Sequence, residues 1–236
     1  MSDGGIDTSR IVIMNSDGSN MQELGPGCMP SLSPDNKEIV FSQPSQGIVK
    51  MKADGSGRTQ IDASGWGTQW SPDGKHIAWA IGNRVILMNT ETNQRSQLLN
   101  AEQSAAFGYI YWNLGWSQNG KTIAFKARKQ DGSGFVVAVA DADSETGFGV
   151  VYDGPDHINE DFTMSPDGRQ VLISLRQQGA TTAKLFVVNR DAPRVLKLLP
   201  GQPETWNVPG GDWSPDGKTI AFSAATPLET IEWPLK

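Results

Sequence analysis

Trp213-Ser214-Pro215-Asp216-Gly217-Lys218-Thr219-Ile220-Ala221-Phe222-Ser223-Ala224 decides the fold. Ser-Pro-Asp-Gly makes a type I turn: Pro sets φ at the second position, the Asp side chain bonds nearby backbone, and Gly accepts positive φ. The strand that follows alternates, with Ile220 and Phe222 pointing one way and Ala221 and Ser223 the other. The stretch recurs as Trp70 to Ala80, Trp116 to Ala127, Met164 to Leu175 and, more loosely, Leu32 to Ser42. Its serines stand at 33, 71, 117, 165 and 214, spaced 38 to 49 residues apart. The large column is filled by Ile39/Phe41, Ile77/Trp79, Ile123/Phe125 and Val171/Ile173, and the residue before each turn is large: Leu32, Trp70, Trp116, Met164 and Trp213. Large residues on one face and small ones on the other suit sheets that interlock when stacked.

A repeat of this length is that of a four-stranded propeller blade. The motif W-S-P-D-G-K-x-I-A-F resembles the Pro-Asp repeat of TolB-type, WD40-like β-propellers. Those proteins also carry a second half-repeat similar to I-x-x-M-N-x-D-G-S, present here at 11–19 and 48–56 and more loosely at 85–92, with Met14, Met51 and Met88 each 37 residues apart. The resemblance covers nearly the whole chain. It implies an all-β fold, export to the periplasm or beyond, and action through partners. It does not name an activity, because one fold hosts many.

The repeats divide the chain. Residues 1–9 form a start, and 10–24 form a hairpin turning at Asn15-Ser16-Asp17-Gly18-Ser19. Blades are expected at about 28–62, 66–99, 111–152 and 159–199, with an inner half alone at 207–224. This leaves five inner and five outer halves, so the economical reading is one domain over 1–236. It is a five-bladed propeller of four-stranded antiparallel blades, closed by strands 10–24 completing the blade begun at 207–224. Closure pairs edges that would otherwise stay open. The alternative takes Thr230-Ile231-Glu232-Trp233 as an outer strand of the last blade, which makes the chain a fragment of a larger, six-bladed propeller. Gln118-Asn119-Gly120 and Asp35-Asn36 depart from Pro-Asp-Gly but remain competent turns. Insertions at 128–134, 142–148 and 176–183 read as loops.

Net charge is −6 and Gly and Pro number 26 and 14, a turn-rich acidic composition. It argues against a nucleic-acid or anionic-membrane partner. No apolar run approaches a membrane span, residues 1–10 do not read as a signal peptide, and the single Cys28 excludes an internal disulfide framework. An isolated propeller is expected to be a monomer.

Catalytic patterns are sparse. Gly-x-Ser-x-Gly is absent, and the Gly-rich stretches do not follow the strand-then-helix pattern of a phosphate loop. Of two histidines, His76 reads as a surface strand residue. His157 lies in Asp153-Gly154-Pro155-Asp156-His157-Ile158-Asn159-Glu160-Asp161, where His157, Glu160 and Asp161, with Asp212 elsewhere, are the only candidates for acid–base work. A solvated acidic connector explains them equally, and no metal or cofactor is expected. Asp17-Gly18-Ser19 and Asp54-Gly55-Ser56 look like calcium-loop fragments but lack the later carboxylates.

The stronger signal is aromatic. Trp66, Tyr109, Tyr111, Trp112 and Trp206 lie in the segments leading into inner strands, and Trp66 and Trp112 both stand five residues before their repeat's Ser. Asn113, Asn159, Asp161 and Asn207 accompany them. Rings beside amides and carboxylates make a ligand surface by stacking and directed hydrogen bonds; packing between blades is the competing role. The expected function is a non-enzymatic binding module presenting this aromatic, acidic channel mouth to a protein or glycan, a neutral or cationic ligand by field sign. The alternative is a glycan-active lyase or hydrolase with a carboxylate/His site in the channel.

Overall fold

Five copies of one hydrogen-bond device end the inner hairpins. The Ser Oγ of each turn donates to the side-chain oxygen two residues on, at 2.6 to 2.7 Å: Ser33 to Asp35, Ser71 to Asp73, Ser117 to Asn119, Ser165 to Asp167 and Ser214 to Asp216. The same Oγ accepts the backbone N–H five residues on at 2.9 to 3.0 Å. The fourth turn position has positive φ in every copy, as Asn36, Gly74, Gly120, Gly168 and Gly217. Each of these N–H groups donates to the carbonyl of the turn's Ser. Pro-Asp-Gly thus supplies the conformation, and the Ser locks it to the next strand.

The computed structural model describes residues 8–143, 148–154 and 157–225, with backbone alone for 157–161. Its strands form a hairpin, four four-stranded antiparallel sheets and a second hairpin. The first hairpin is β1 (Arg10–Ile13) with β2 (Gln22–Pro26). Sheet one is β3 (Cys28–Leu32), β4 (Glu38–Gln43), β5 (Gly47–Lys52) and β6 (Thr59–Asp62). Sheet two is β7 (Trp66–Trp70), β8 (His76–Ile81), β9 (Arg84–Asn89) and β10 (Arg95–Gln97), followed by a one-turn helix, α1 (Ala101–Ser104). Sheet three is β11 (Phe107–Trp116), β12 (Thr122–Lys129), β13 (Phe135–Asp141) and β14 (Phe148–Gly154). Sheet four is β15 (His157–Met164), β16 (Gln170–Arg176), β17 (Lys184–Asn189) and β18 (Ala192–Leu198), and the last hairpin is β19 (Asn207–Trp213) with β20 (Ile220–Ala225).

The alternation of large and small residues builds the packing. Ile77 and Trp79 of β8 bury against Val40 and Ile48 of sheet one. Ile123 and Phe125 of β12 bury against Ala78, Ala80 and Leu87 of sheet two. Val171 and Ile173 of β16 do so against Ala124, Val137 and Val139 of sheet three. The large column of one sheet therefore fills the space above the small column of the sheet before it, which is where most of the hydrophobic stabilisation lies. The first strands meet in series, β3 with β7, β7 with β11, β11 with β15 and β15 with β19, so they stand innermost. Polar staples tie a first strand to the second strand of the sheet before it: Gly67 N–H donates to Ser42 Oγ at 2.9 Å, and Ser174 Oγ donates to Val208 O at 2.7 Å.

The expected closure is corrected. Among the described residues β1 pairs with β2 alone and β20 with β19 alone, and strand 10–14 does not pair with 219–224. Each hairpin packs on the sheet next to it in sequence, β1–β2 on sheet one with Ile11 buried against Phe41 and Met51, and β19–β20 on sheet four with Val208 buried against Leu172 and Leu185, but no ladder joins β1 to β20. The ring is not closed by these strands, and the arrangement is a partial propeller. Residues 230–233, the alternative outer strand, lie outside the described residues.

Candidate functional site

β11 starts at Phe107, earlier than the repeat requires, and its register with β12 shifts between Ile110 and Leu114. The slack holds Tyr111, Trp112 and Asn113, all half-buried. A bulge of this kind re-aims side chains at the end of a strand. Here it gathers rings: Tyr111 lies 5.3 Å from Tyr109, 6.0 Å from Trp112 and 5.8 Å from Phe135, centroid to centroid. Tyr109 is the most open, at 38% exposure. Burial of its phenol, with Tyr111 beside it, raises its pKa further above neutral, so it stays protonated and can donate.

A lysine completes the cluster. Lys126 is buried, and its Nζ lies 4.9 Å from the Tyr111 ring centroid and 5.2 Å from that of Phe135. By the pleat, Lys126 shares a face with Ala124, which packs beside Phe162 and Met164 of sheet four. Arg128, two residues on and exposed, is the cross-strand partner of both Tyr109 and Phe135. Nearby, Lys129 pairs with Asp153 at 2.6 Å. Among the described side chains this face carries rings and the cations Lys126 and Arg128; the expected acidic residues Glu160 and Asp161 have side chains outside the described residues.

The other expected site residues fall as follows. Trp66 opens β7 and is half-buried; its neighbour Gly67 lies against the Trp112 backbone, but no ring contact joins Trp66 to the cluster among the described residues. Trp206 packs onto the core between sheet four and the last hairpin, and Lys184 Nζ donates to its carbonyl. The Asn207 side chain accepts the Ala183 N–H at 2.8 Å. Asp212 is exposed, and its carboxylate accepts the Trp213 N–H. His157, Asn159, Glu160 and Asp161 lie on β15, and their side chains are outside the described residues. No group of three or more His, Cys, Asp or Glu able to hold a metal occurs among the described residues. His76 is less open than expected: it stacks on Trp116 at 6.5 Å, with Nε2 3.9 Å from Asp143.

Sequence reading passed over Phe135 and Lys126. The signal for Lys126 was present, since the aligned column reads Ser42, Ala80, Lys126, Ser174 and Ser223, one long cation among small residues. A hollow of about 1070 Å³ lies at the outer edge of sheet two and is lined by Arg84, Arg95, Leu98, Asn100, Gln103 and Asp143 among others. Several of its polar groups are engaged within the fold. Arg95 pairs with Asp62 at 3.1 Å, and Asn100 and Gln103 bond each other's backbone as the cap of α1.

No protein-family model matches the sequence, and curated proteins offer no match either. Solved structures do. An oligogalacturonate lyase from Vibrio parahaemolyticus superposes with a TM-score of 0.71 at 12% identity, over 94% of this chain and 67% of its own. A structure assigned as TolB from Agrobacterium tumefaciens gives 0.61 at 18% identity, over 92% of this chain and 78% of its own. The fold is a β-propeller. Kuenenia stuttgartiensis hydrazine synthase also matches, with a TM-score of 0.68 at 14% identity over 90% of this chain and 67% of its own. This chain thus spans about two thirds of the lyase and synthase chains. At such identities the likeness speaks for the fold and leaves chemistry to the site.

Proposed function

We propose that the chain is a non-enzymatic carbohydrate-binding propeller whose ligand is an acidic oligosaccharide, held at the seam between sheets three and four. The carrying observation is the ring cluster around Tyr111 with two cations on the same face: Tyr109 exposed, Trp112 and Phe135 beside it, and Lys126 and Arg128 behind. A sugar offers an apolar C–H face to a ring and hydroxyls to its edge, and a uronate adds a carboxylate for a guanidinium or ammonium. The choice of an acidic sugar departs from the neutral or cationic ligand expected from net charge, because local field outweighs the net charge of the whole chain at contact distance. The fold likeness to a lyase acting on oligogalacturonate supports the ligand class. The proposal extends to one propeller domain over 1–236, acting in the periplasm or outside the cell, as the resemblance of the repeats to TolB-type proteins implies.

The test is titration with an oligogalacturonate and, in parallel, with a neutral galactan oligomer, followed by calorimetry and Trp fluorescence. Saturable binding of the acidic oligomer is expected. Tyr109→Ala should weaken it about tenfold or more, the loss of one stacked ring, with the melting temperature nearly unchanged. Absence of binding to both oligomers refutes the proposal. Turnover, seen as ultraviolet absorbance of unsaturated products, would replace it with the lyase reading.

A further inference from the structure

The repeats leave two mismatched ends. Among the described residues, β1–β2 is an outer half-blade without inner strands, and β19–β20 an inner half-blade without outer strands. The complete sheets show what each end lacks. In sheet one Phe41 faces Val49 and Ile39 faces Met51; in sheet two Trp79 faces Ile86 and Ile77 faces Met88. Aligned on their serines and methionines, Phe222 and Ile220 take the places of Phe41 and Ile39, and Val12 and Met14 take those of Val49 and Met51. In sheet one these positions are closed: Phe41 is 0%, Val49 1% and Met51 1% exposed. At the ends they are open: Phe222 is 45%, Val12 46% and Met14 60% exposed. Leu32 and Met29 on β3 are exposed too, whereas Trp70, the counterpart of Leu32, is buried in the core between sheets one and two.

We propose that these two faces meet between copies of the chain: β19–β20 of one copy docks beside β1 of a second, over Leu32 and Met29. In this contact β20 pairs with β1 antiparallel, Phe222 opposite Val12 and Ile220 opposite Met14. The four complete sheets define the chemistry of the occupant. The strand beside the motif strand reads Gly47–Lys52, Arg84–Asn89, Phe135–Asp141 and Lys184–Asn189, rich in Val, Ile, Leu, Met or Phe each time. The Arg10–Ile13 strand is of the same kind. A slip by one residue would turn Phe222 and Val12 to opposite faces, so burial fixes the register. The acceptor is already seated, because Ile11 is buried on sheet one, and little ordering cost attends the docking. Two different surfaces make the contact heterologous, so it propagates from copy to copy or closes into a ring. It also covers an exposed strand edge. This inference is independent of the ligand proposed above, and it replaces the expectation of a monomer.

The test mixes two single-cysteine variants of the full chain, Val12→Cys and Phe222→Cys, each in a Cys28→Ser background. Facing residues of an antiparallel pair lie within disulfide reach, at about 4.5–5.5 Å between Cα atoms. Preferential formation of the mixed disulfide over either like pair is expected. Sedimentation of the unaltered chain should show mass rising with concentration, and Phe222→Lys should weaken association about tenfold or more. Should Phe222→Lys not fold, Val12→Lys on the opposite edge reads out the same loss. Three results overturn the proposal: a monomer at every concentration without a preferred mixed disulfide; association untouched by both lysine variants; or a double variant that cross-links only within one chain.

Discussion

Gly67→Ala probes the closest approach between inner strands, and its cost follows from the local geometry. Gly67 has φ +68° and is buried between β4, where its N–H donates to Ser42 Oγ, and β11. A Cβ at this position would stand 2.0 Å from the Trp112 carbonyl oxygen and 2.4 Å from the Trp112 Cβ. The obstructing atoms are backbone and Cβ, so no rotamer change relieves them. Three contributions then sum. Alanine in the left-handed region costs about 1–2 kcal/mol. The stiffer unfolded chain returns about 0.4–1 kcal/mol. Overpacking a close-packed site costs about 1–3 kcal/mol. Gly82→Ala is the matched control: φ is +57° and nothing lies within 4 Å of its Cβ, so only the first two contributions remain. The difference between the variants is therefore the clash alone, about 1–3 kcal/mol, or roughly 2–10 °C in a chain of this size. Denaturant midpoints at constant m measure it. If the two variants lose the same stability to within about 0.5 kcal/mol, β7 and β11 do not approach as described, and the innermost placement of Trp112 fails with them.

The turn device predicts that Ser71→Ala strands the His76 N–H and loses the partner of Asp73, costing about 1–3 kcal/mol in urea melts. Arg190 binds Asp141 through two 2.8 Å hydrogen bonds across sheets three and four. The Arg190 hydrogen bond, with help from Thr122, holds the Asp141 carboxyl below its ordinary pKa. A depressed pKa stabilises the fold above the unfolded value and is lost as pH falls through the folded one. Arg190→Gln should therefore cost about 1 kcal/mol or less near neutrality, both groups being about a third exposed, and this penalty should fade in melts as pH falls below the ordinary Asp value of about 3.9 toward the lower folded one. Lys126→Ser restores the residue found at 42 and 174, so it should fold with a near-parental melting temperature while binding of the acidic oligomer falls about tenfold.

The sheets were legible because the signal was repeated. One Ser-Pro-Asp-Gly is a turn; five copies with alternating strands specify stacked sheets, and Ile77, Ile123 and Val171 each pack where the alternation puts them. The role of the Ser hydroxyl was not legible, because turn chemistry explains Pro, Asp and Gly without it. The closure failed for another reason. Counting halves balances the ends but carries no distance information, and the positions of β1 on sheet one and β20 on sheet four depend on inter-sheet packing. At the site, the alignment of Trp66 with Trp112 correctly put both near the innermost strands. It did not foresee the bulge that turns Tyr111 toward Phe135, since a register shift leaves no mark in composition.

The departures from the repeat cluster in one region. Sheet two hands over to sheet three through α1, the single described helix, and β11 then runs ten residues, longer than any other described strand, with its ladder to β12 interrupted between Ile110 and Leu114. Lys126 replaces a small residue on β12 and lies against Phe135 of the neighbouring β13. Elsewhere the array is uniform: the same turn, the same serine lock, the same large-over-small packing. A repeat that is kept elsewhere for stability and broken at one seam is broken there at a cost, because a buried lysine must be accommodated where the sister sheets hold a small residue. Places where local rules yield without an evident structural gain are where function is expected. The seam between sheets three and four meets that condition through two features close together, the ring cluster and the buried cation. The hollow beside sheet two meets it through none, and its Arg95 and cap amides are already spent on the fold.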